Sequence, residues 1–363
     1  GKGADKAVVQ FHLLRYSNVN QGNYFENIAI DAGRGNPGAV GLKWNGSNWG
    51  GVRNVRVRSG DGQGRAGLMM DTANATGYLH DLDIEGFDIG LELGAGSQSV
   101  VVLEHATLSG QRLAAIQIRG GRGRFGPRPI SARKVLVRDA PVACKVGATG
   151  HLVLLESALQ GRSQNPVGIE IEKDGQLFAR DVDVSGYETA VLRHDEAALR
   201  GGFIAEYVSD EPTSLRADVP ARSMRLPAKD APVCLPEPDL SQWASVDDFG
   251  ALGDGIHDDT AAIQKAVNSG KPVVWFPKAT YVINGTVDIP ATVREMVFLW
   301  ASVYRTGSDS PDDGPAMFRV AEPSAQPLFL HKNISAGGVF LDHEARRPVV
   351  FEDVIAWFHH DQW

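Results

Sequence analysis

The chain has 363 residues, 43% of them hydrophobic, and a formal net charge of −8. That length accommodates two domains, and the acidic balance argues against a nucleic-acid partner, which needs a basic stripe. No apolar run is long enough to cross a bilayer as a helix, and the two cysteines, Cys144 and Cys234, offer no disulfide framework.

From the N-terminal side, a six-residue pattern recurs: apolar-x-x-apolar-x-apolar. It stands at Phe25–Ile30, Val52–Val57, Leu79–Ile84, Leu103–Leu108, Ala132–Val137, Leu155–Gln160 and Ala179–Val184. Its fourth places are Ile28, Val55, Leu82, Ala106, Val135, Ala158 and Val182, with steps of 27, 27, 24, 29, 23 and 24. A second signal runs in phase: a small residue, an apolar one, a variable one, an apolar one. Gly41–Trp44, Gly67–Met70, Gly90–Leu93, Ala115–Ile118 and Gly168–Ile171 carry it, and Cys144 and Val191 mark poorer copies. A period of this length marks a stack of similar supersecondary units. Strands this short persist only when each coil pairs with the next and their inward side chains form one column. The expected fold is all-β, a parallel β-helix. High glycine content, 41 residues, suits its many turns.

The place after the first apolar residue reads Glu26, Arg53, His80, Glu104, Arg133, Glu156 and Arg180, an expected ladder of exposed ion pairs. The next place begins Asn27, Asn54, Asp81. These residues tolerate left-handed backbone angles, so a ladder of turns is expected there. Outward columns that are charged or polar suit a monomer better than a trimeric shaft.

The loop Trp44–Gly51 offers two indoles among amides, a composition that suits sugars. Trp44 falls at an inward place and is expected in the core. Trp49, with Asn48, is the candidate glycan contact. Arg119, Arg122, Arg124 and Arg128 concentrate positive charge, and Arg124 is a candidate contact for a sugar substrate. Residues 211–243 are proline-rich and read as a linker between a first β-helix, 1–210, and the opening of a second, 244–363.

The second segment opens on Asp247-Asp248-Phe249-Gly250-Ala251-Leu252-Gly253-Asp254-Gly255-Ile256-His257-Asp258-Asp259-Thr260-Ala261-Ala262-Ile263-Gln264. Asp258 or Asp259 reads as an N-cap. Ala262, Ile263, Ala266 and Val267 form an apolar stripe on a helix of about ten residues that Gly270 ends. Val273–Phe276 and Tyr281–Ile283 read as strands. The aspartates Asp254, Asp258 and Asp259 are expected to cap and turn the chain, with no metal held.

This string resembles the opening of the pectate-lyase-like superfamily domain, D-F-G-A-x-G-D-G-x-x-D-D-T-x-A-I-Q, a right-handed parallel β-helix. Ala279 stands where that pattern usually has glycine. Two β-helices in tandem, the second opening this way, resemble the exo-β-1,3-glucanases of glycoside hydrolase family 55 and related uncharacterised proteins. The resemblance implies a polysaccharide or oligosaccharide substrate, no cofactor and a place outside the cell or in its envelope. It also implies that the first helix lacks its start and the second its end, so that this piece alone is inactive. The capping motif carries no chemistry in that resemblance.

Glycoside hydrolysis by inversion needs two carboxyl groups about 6.5 to 9.5 Å apart. A β-helix sets outward residues about 4.8 Å apart per coil. Asp71, Glu92, Glu170 and Glu352 are the candidate catalytic carboxylates, drawn from a wider set with Asp31, Asp83, Glu172, Asp183, Glu344 and Asp353. Two other readings stay open: a non-catalytic, tailspike-like glycan binder, and a polysaccharide lyase, for which the sequence singles out no catalytic base.

Overall fold

The computed structural model describes the chain apart from residues 1–5, 12–20, 72–76, 95–99, 121–127, 217, 222, 230–238, 307–313, 338 and 357–363. For residues 21, 47–49, 128, 163–166, 332–337 and 352–356 it describes the backbone alone. The chain divides into two compact units, Gly1–Met224 and Arg225–Trp363.

The first unit contains β1 (Lys6–Gln10), β2 (Gln21–Asp31), β3 (Ala39–Lys43), β4 (Ser47–Arg58), β5 (Ala66–Met70), β6 (Gly77–Glu85), β7 (Ile89–Leu93), β8 (Val101–Ser109), β9 (Ala114–Ile118), β10 (Arg128–Arg138), β11 (Val142–Val146), β12 (Gly150–Ile171), β13 (Gln176–Arg193) and β14 (Glu196–Val208). Odd strands β1 to β11 pair with each other, even strands β2 to β10 do the same, and β12 joins both series. All these pairings are parallel; only β13–β14 is antiparallel. This is a parallel β-helix with two strands per coil. Ile28 pairs with Val55 and Val55 with Leu82, so the repeat markers do pile up. Ile28 stays 42% exposed because β2 ends the described series.

Backbone angles explain the six-residue pattern. Its third place is left-handed in every coil: Asn27, Asn54, Asp81, His105, Lys134, Glu156 and Asp181 all have φ between 46° and 58°. A left-handed residue breaks the strict alternation of a strand, so the first and fourth places both turn inward. Asn54 Nδ2 donates to Asn27 Oδ1 at 2.7 Å, one rung of an amide ladder. The small residue of the second signal has an equally local cause. A Cβ on Gly41 would lie 2.2 Å from Val57 Cγ1, and one on Gly67 would lie 2.3 Å from Ile84 Cγ2.

Two expectations need correction. The sixth copy is Leu154–Leu159, one residue earlier than expected, since Leu154, Ser157 and Leu159 are buried while Leu155 and Ala158 are less so. Ser157 stands where the pattern wants an apolar residue. Its Oγ accepts from Val135 N at 3.0 Å and donates to Leu155 O at 2.7 Å, so the hydroxyl is satisfied inside. A slip of one place swaps the two faces. Nor is every outward column polar: Val40, Ala66 and Met69 form a small apolar cluster separate from the main core. The same slip interrupts the charge column, because Leu155 pairs with both Arg133 and Arg180, and the ion pairs of the column are less exposed than expected. Arg53 lies 2.6 Å from Glu26, with side chains only 12% and 13% exposed, and Arg133 sits between Glu104 and Glu156.

The second unit contains β15 (Trp243–Ser245), β16 (Asp254–Asp258), α1 (Thr260–Val267), β17 (Val273–Phe276), β18 (Thr280–Val282), β19 (Val287–Asp288), β20 (Glu295–Phe298), β21 (Ser302–Tyr304), β22 (Phe318–Val320), β23 (Leu328–Gly337), β24 (Leu341–His343) and β25 (Val349–Ala356). Its pairings are all parallel and form three faces, β19–β22–β24 being the third. Ile263, Ala266 and Val267 of α1 pack on the core that Val246, Val274 and Phe276 share.

The capping motif closes this stack with side chains that replace a missing coil. Asp258 Oδ1 accepts from Thr260 N at 3.0 Å, so it is Asp258 that caps α1. Asp259, the residue at the N-cap position, makes no side-chain cap bond. Its buried carboxylate accepts from Leu252 N, Gly253 N and Val282 N. Gln264 donates to Asp288 O at 3.0 Å and accepts from Asp288 N at 2.8 Å, pairing with the free edge of β19 as a strand would. Asp254 accepts from Ile256 N and His257 N and meets His257 Nδ1 at 2.6 Å. These bonds, led by the His257 N–H, hold its carboxyl down at about 2. Asp254, Asp258 and Asp259 are thus all engaged by backbone N–H groups.

Candidate functional site

The variable place of the second repeat signal faces away from the core and builds a column. Lys43 pairs with Met69, Met69 with Glu92, Glu92 with Gln117, Gln117 with Lys145 and Lys145 with Glu170. A second column lies just past the strand ends. There the ladder continues through Gly94 N to Met70 O, Arg119 N to Leu93 O, Gly147 N to Ile118 O and Glu172 N to Val146 O. Asp71, Gly94, Arg119, Gly147 and Glu172 therefore occupy successive coils.

Asp71 and Glu92 meet in this strip. They lie on adjacent coils, two places apart along the strand, a diagonal of about 8 Å between backbone positions. Asp71 Oδ2 accepts from Lys43 Nζ at 2.8 Å. Glu92, 1% exposed, bonds through Oε1 to Arg119 Nε and stands 3.4 Å from Arg65 Nη2. The other oxygen of each, Asp71 Oδ1 and Glu92 Oε2, is buried without a hydrogen-bond partner among the described residues. Buried acceptors of this kind are few in folded proteins and ask for a cause. Gly94 is obligatory between the two coils, because a Cβ there would lie 2.7 Å from Asp71 Cα.

Other sequence candidates lie elsewhere. Glu170 belongs to the same column, three coils from Glu92, roughly 14 Å away along the stack. Its Oε1 lies 2.9 Å from Lys145 Nζ, which also approaches Glu172 at 3.8 Å. Asp31 and Asp83 are tied to Arg58 and Arg56 on other faces. Glu352 lies in the second unit, in register with His331. His331 is buried beside Glu295, Nε2 to Oε2 3.4 Å, and both atoms lack a hydrogen-bond partner among the described residues. Trp44 is core, as expected. The side chains of Trp49, Asn48 and Glu352 lie outside the described residues, as do Arg122 and Arg124 entirely. Lys43, Arg65, Gln117 and Lys145 went unnoticed as neighbours of the carboxylates. Lining up the variable places of the second repeat would have found three of them.

Residues 243–294 match the family described as rhamnogalacturonase A/epimerase, pectate lyase-like. A glucan 1,3-beta-glucosidase of Cochliobolus carbonum is 24% identical over 326 residues, spanning 79% of this chain and 40% of that protein. A probable glucan endo-1,3-beta-glucosidase of Arthroderma benhamiae is 32% identical over 87 residues, 23% of this chain and 10% of that protein. Mannuronan C5-epimerase AlgE5 of Azotobacter vinelandii is 49% identical over 45 residues, 11% of this chain and 4% of that protein. The chain thus spans less than half the length of these relatives. It is a pectate-lyase-like parallel β-helix that resembles the exo-β-1,3-glucanases of glycoside hydrolase family 55.

Proposed function

We propose that this chain is part of a polysaccharide-active β-helix protein, a glycoside hydrolase of the β-glucanase kind working outside the cell, and that Asp71 and Glu92 are its reacting carboxyl pair. The observation that carries the assignment is the pair of buried carboxylate oxygens on adjacent coils that lack a partner among the described residues. Backbone positions about 8 Å apart on neighbouring coils leave room for an inverting reaction, in which one carboxyl protonates the leaving oxygen and the other draws a proton from water. Lys43 and Arg119 fix the two groups in place and offset their mutual repulsion. Trp49, Asn48 and Arg124 are the proposed sugar contacts. The relatives named as glucan glucosidases support the choice of substrate over a uronate.

The test is release of reducing sugar from laminarin, pectate and xylan by the full-length parent protein. Laminarin is expected to yield product. Pectate turnover would favour the lyase reading, and silence on all three substrates would favour a glycan-binding shaft.

A further inference from the structure

An open groove of about 680 Å³ lies further along the same strip, over the ends of β9, β11 and β12. Gln117, Arg119, Lys145, Thr149, Glu172 and Lys173 line it with Gly120 and Gly147. Its hollow has a local cause. A Cβ on Gly147 would lie 2.3 Å from Gly120 N, and one on Gly120 would lie 2.8 Å from Ala148 O. No side chain fits at either place, so the second column carries none at Gly147, and Gly120 adds none beside it.

We infer that this groove is an accessory subsite for the same glycan, holding rings that lie beyond the linkage at Asp71 and Glu92. The inference rests on the function proposed above. Arg119 is the physical link, since it bonds Glu92 through Nε and also forms the groove wall. Successive coils stand about 4.8 Å apart, close to the length of one pyranose unit, so a chain lying along the stack meets a fresh set of side chains at every ring. The groove presents acceptors and donors side by side. Glu172 Oε2 lies 3.3 Å from Ala148 N, and Lys145 Nζ bridges Glu170 and Glu172. Paired donors and acceptors of this sort suit the vicinal hydroxyls of a sugar ring. Its volume falls in the range of ligand sites, about 300 to 1,000 Å³. The substrate is therefore a polymer or long oligomer, and a disaccharide leaves the groove unused.

Binding of β-1,3-linked gluco-oligosaccharides, from disaccharide to heptasaccharide, to the full chain tests this by calorimetry. Affinity is expected to rise with length. Lys145→Met and Glu172→Gln, both at solvent-accessible sites, are expected to lower the heptasaccharide affinity about five-fold each and to leave the disaccharide unchanged. Unchanged melting curves guard against misfolding. Length-independent affinity in the unaltered chain, or equal heptasaccharide binding by both variants, overturns the subsite. Asp71→Asn separates the two claims. It is expected to stop turnover by the parent protein while the length dependence of binding persists. Should the oligosaccharides bind as described and the parent release no sugar, the subsite stands and the hydrolase reading falls.

Discussion

The two units finish their stacks in different ways. At the start of the second unit, Asp258, Asp259, Thr260 and Gln264 satisfy loose backbone groups with side chains. At the far end of the first, β14 reverses direction and pairs antiparallel along β13, from Phe178–Val208 to Arg193–Glu196. A parallel stack exposes a row of unpaired N–H and C=O groups at each end, a template for aggregation. One solution is chemical and needs particular residues at fixed spacing. The other is topological and needs only a chain that turns back. The first leaves a signature in the sequence, and the second leaves almost none.

Several substitutions break or sharpen this contrast. The largest effect is expected from Asp259→Ala. Three backbone donors would lose a buried acceptor, at about 1–3 kcal/mol for each group left unsatisfied. The second unit should unfold at clearly lower urea while the transition of the first stays put; a joint shift of both would show that the cap does not act locally. Gly67→Val should act on the first unit instead. Its new side chain runs into Ile84 and the carbonyl of Gly90, an overpacking cost of about 1–3 kcal/mol, readable as a lower melting temperature for that unit alone. Gln264→Ala removes the two bonds to Asp288 and should cost about 1 kcal/mol. The sharper readout is hydrogen exchange, because the Asp288 amide loses its acceptor and should exchange faster.

The smallest effect concerns pH. Asp254 is held at about 2 against an ordinary 3.8 by the His257 and Ile256 amides and the His257 ring. A carboxyl whose folded pKa is depressed adds stability above its unfolded pKa and loses it as pH falls through the folded one. Asp254→Asn should therefore flatten the stability of the second unit between about pH 4 and pH 2. An acid-unfolding curve identical to that of the unaltered chain would remove Asp254 from the account.

Much of the fold was readable beforehand because a β-helix repeats its rules. Seven left-handed corners and seven inward markers state the same coil again and again, so one weak copy does no harm. The exception shows the limit. Ser157 is buried but polar, and a pattern built on apolar places slid by one residue to avoid it. Strand direction was not readable at β14, since alternation looks the same in parallel and antiparallel strands. For the site, each carboxylate was visible alone. What the sequence did not state was register. Asp71 and Glu92 are 21 positions apart, less than the hexad period, and only the paired backbones show that they sit diagonally on neighbouring coils. Glu170 has the same place in its own repeat and still ends up three coils away.

The role given to that diagonal pair is tested most directly by comparing laminarin hydrolysis by the full-length parent protein with that of its Glu92→Gln form, both first shown to be folded by their melting curves. Loss of at least about a hundredfold in kcat/KM is expected for removal of a reacting carboxyl. Hydrolysis by the glutamine form at an undiminished rate would contradict the assignment and return the search to the remaining carboxylates.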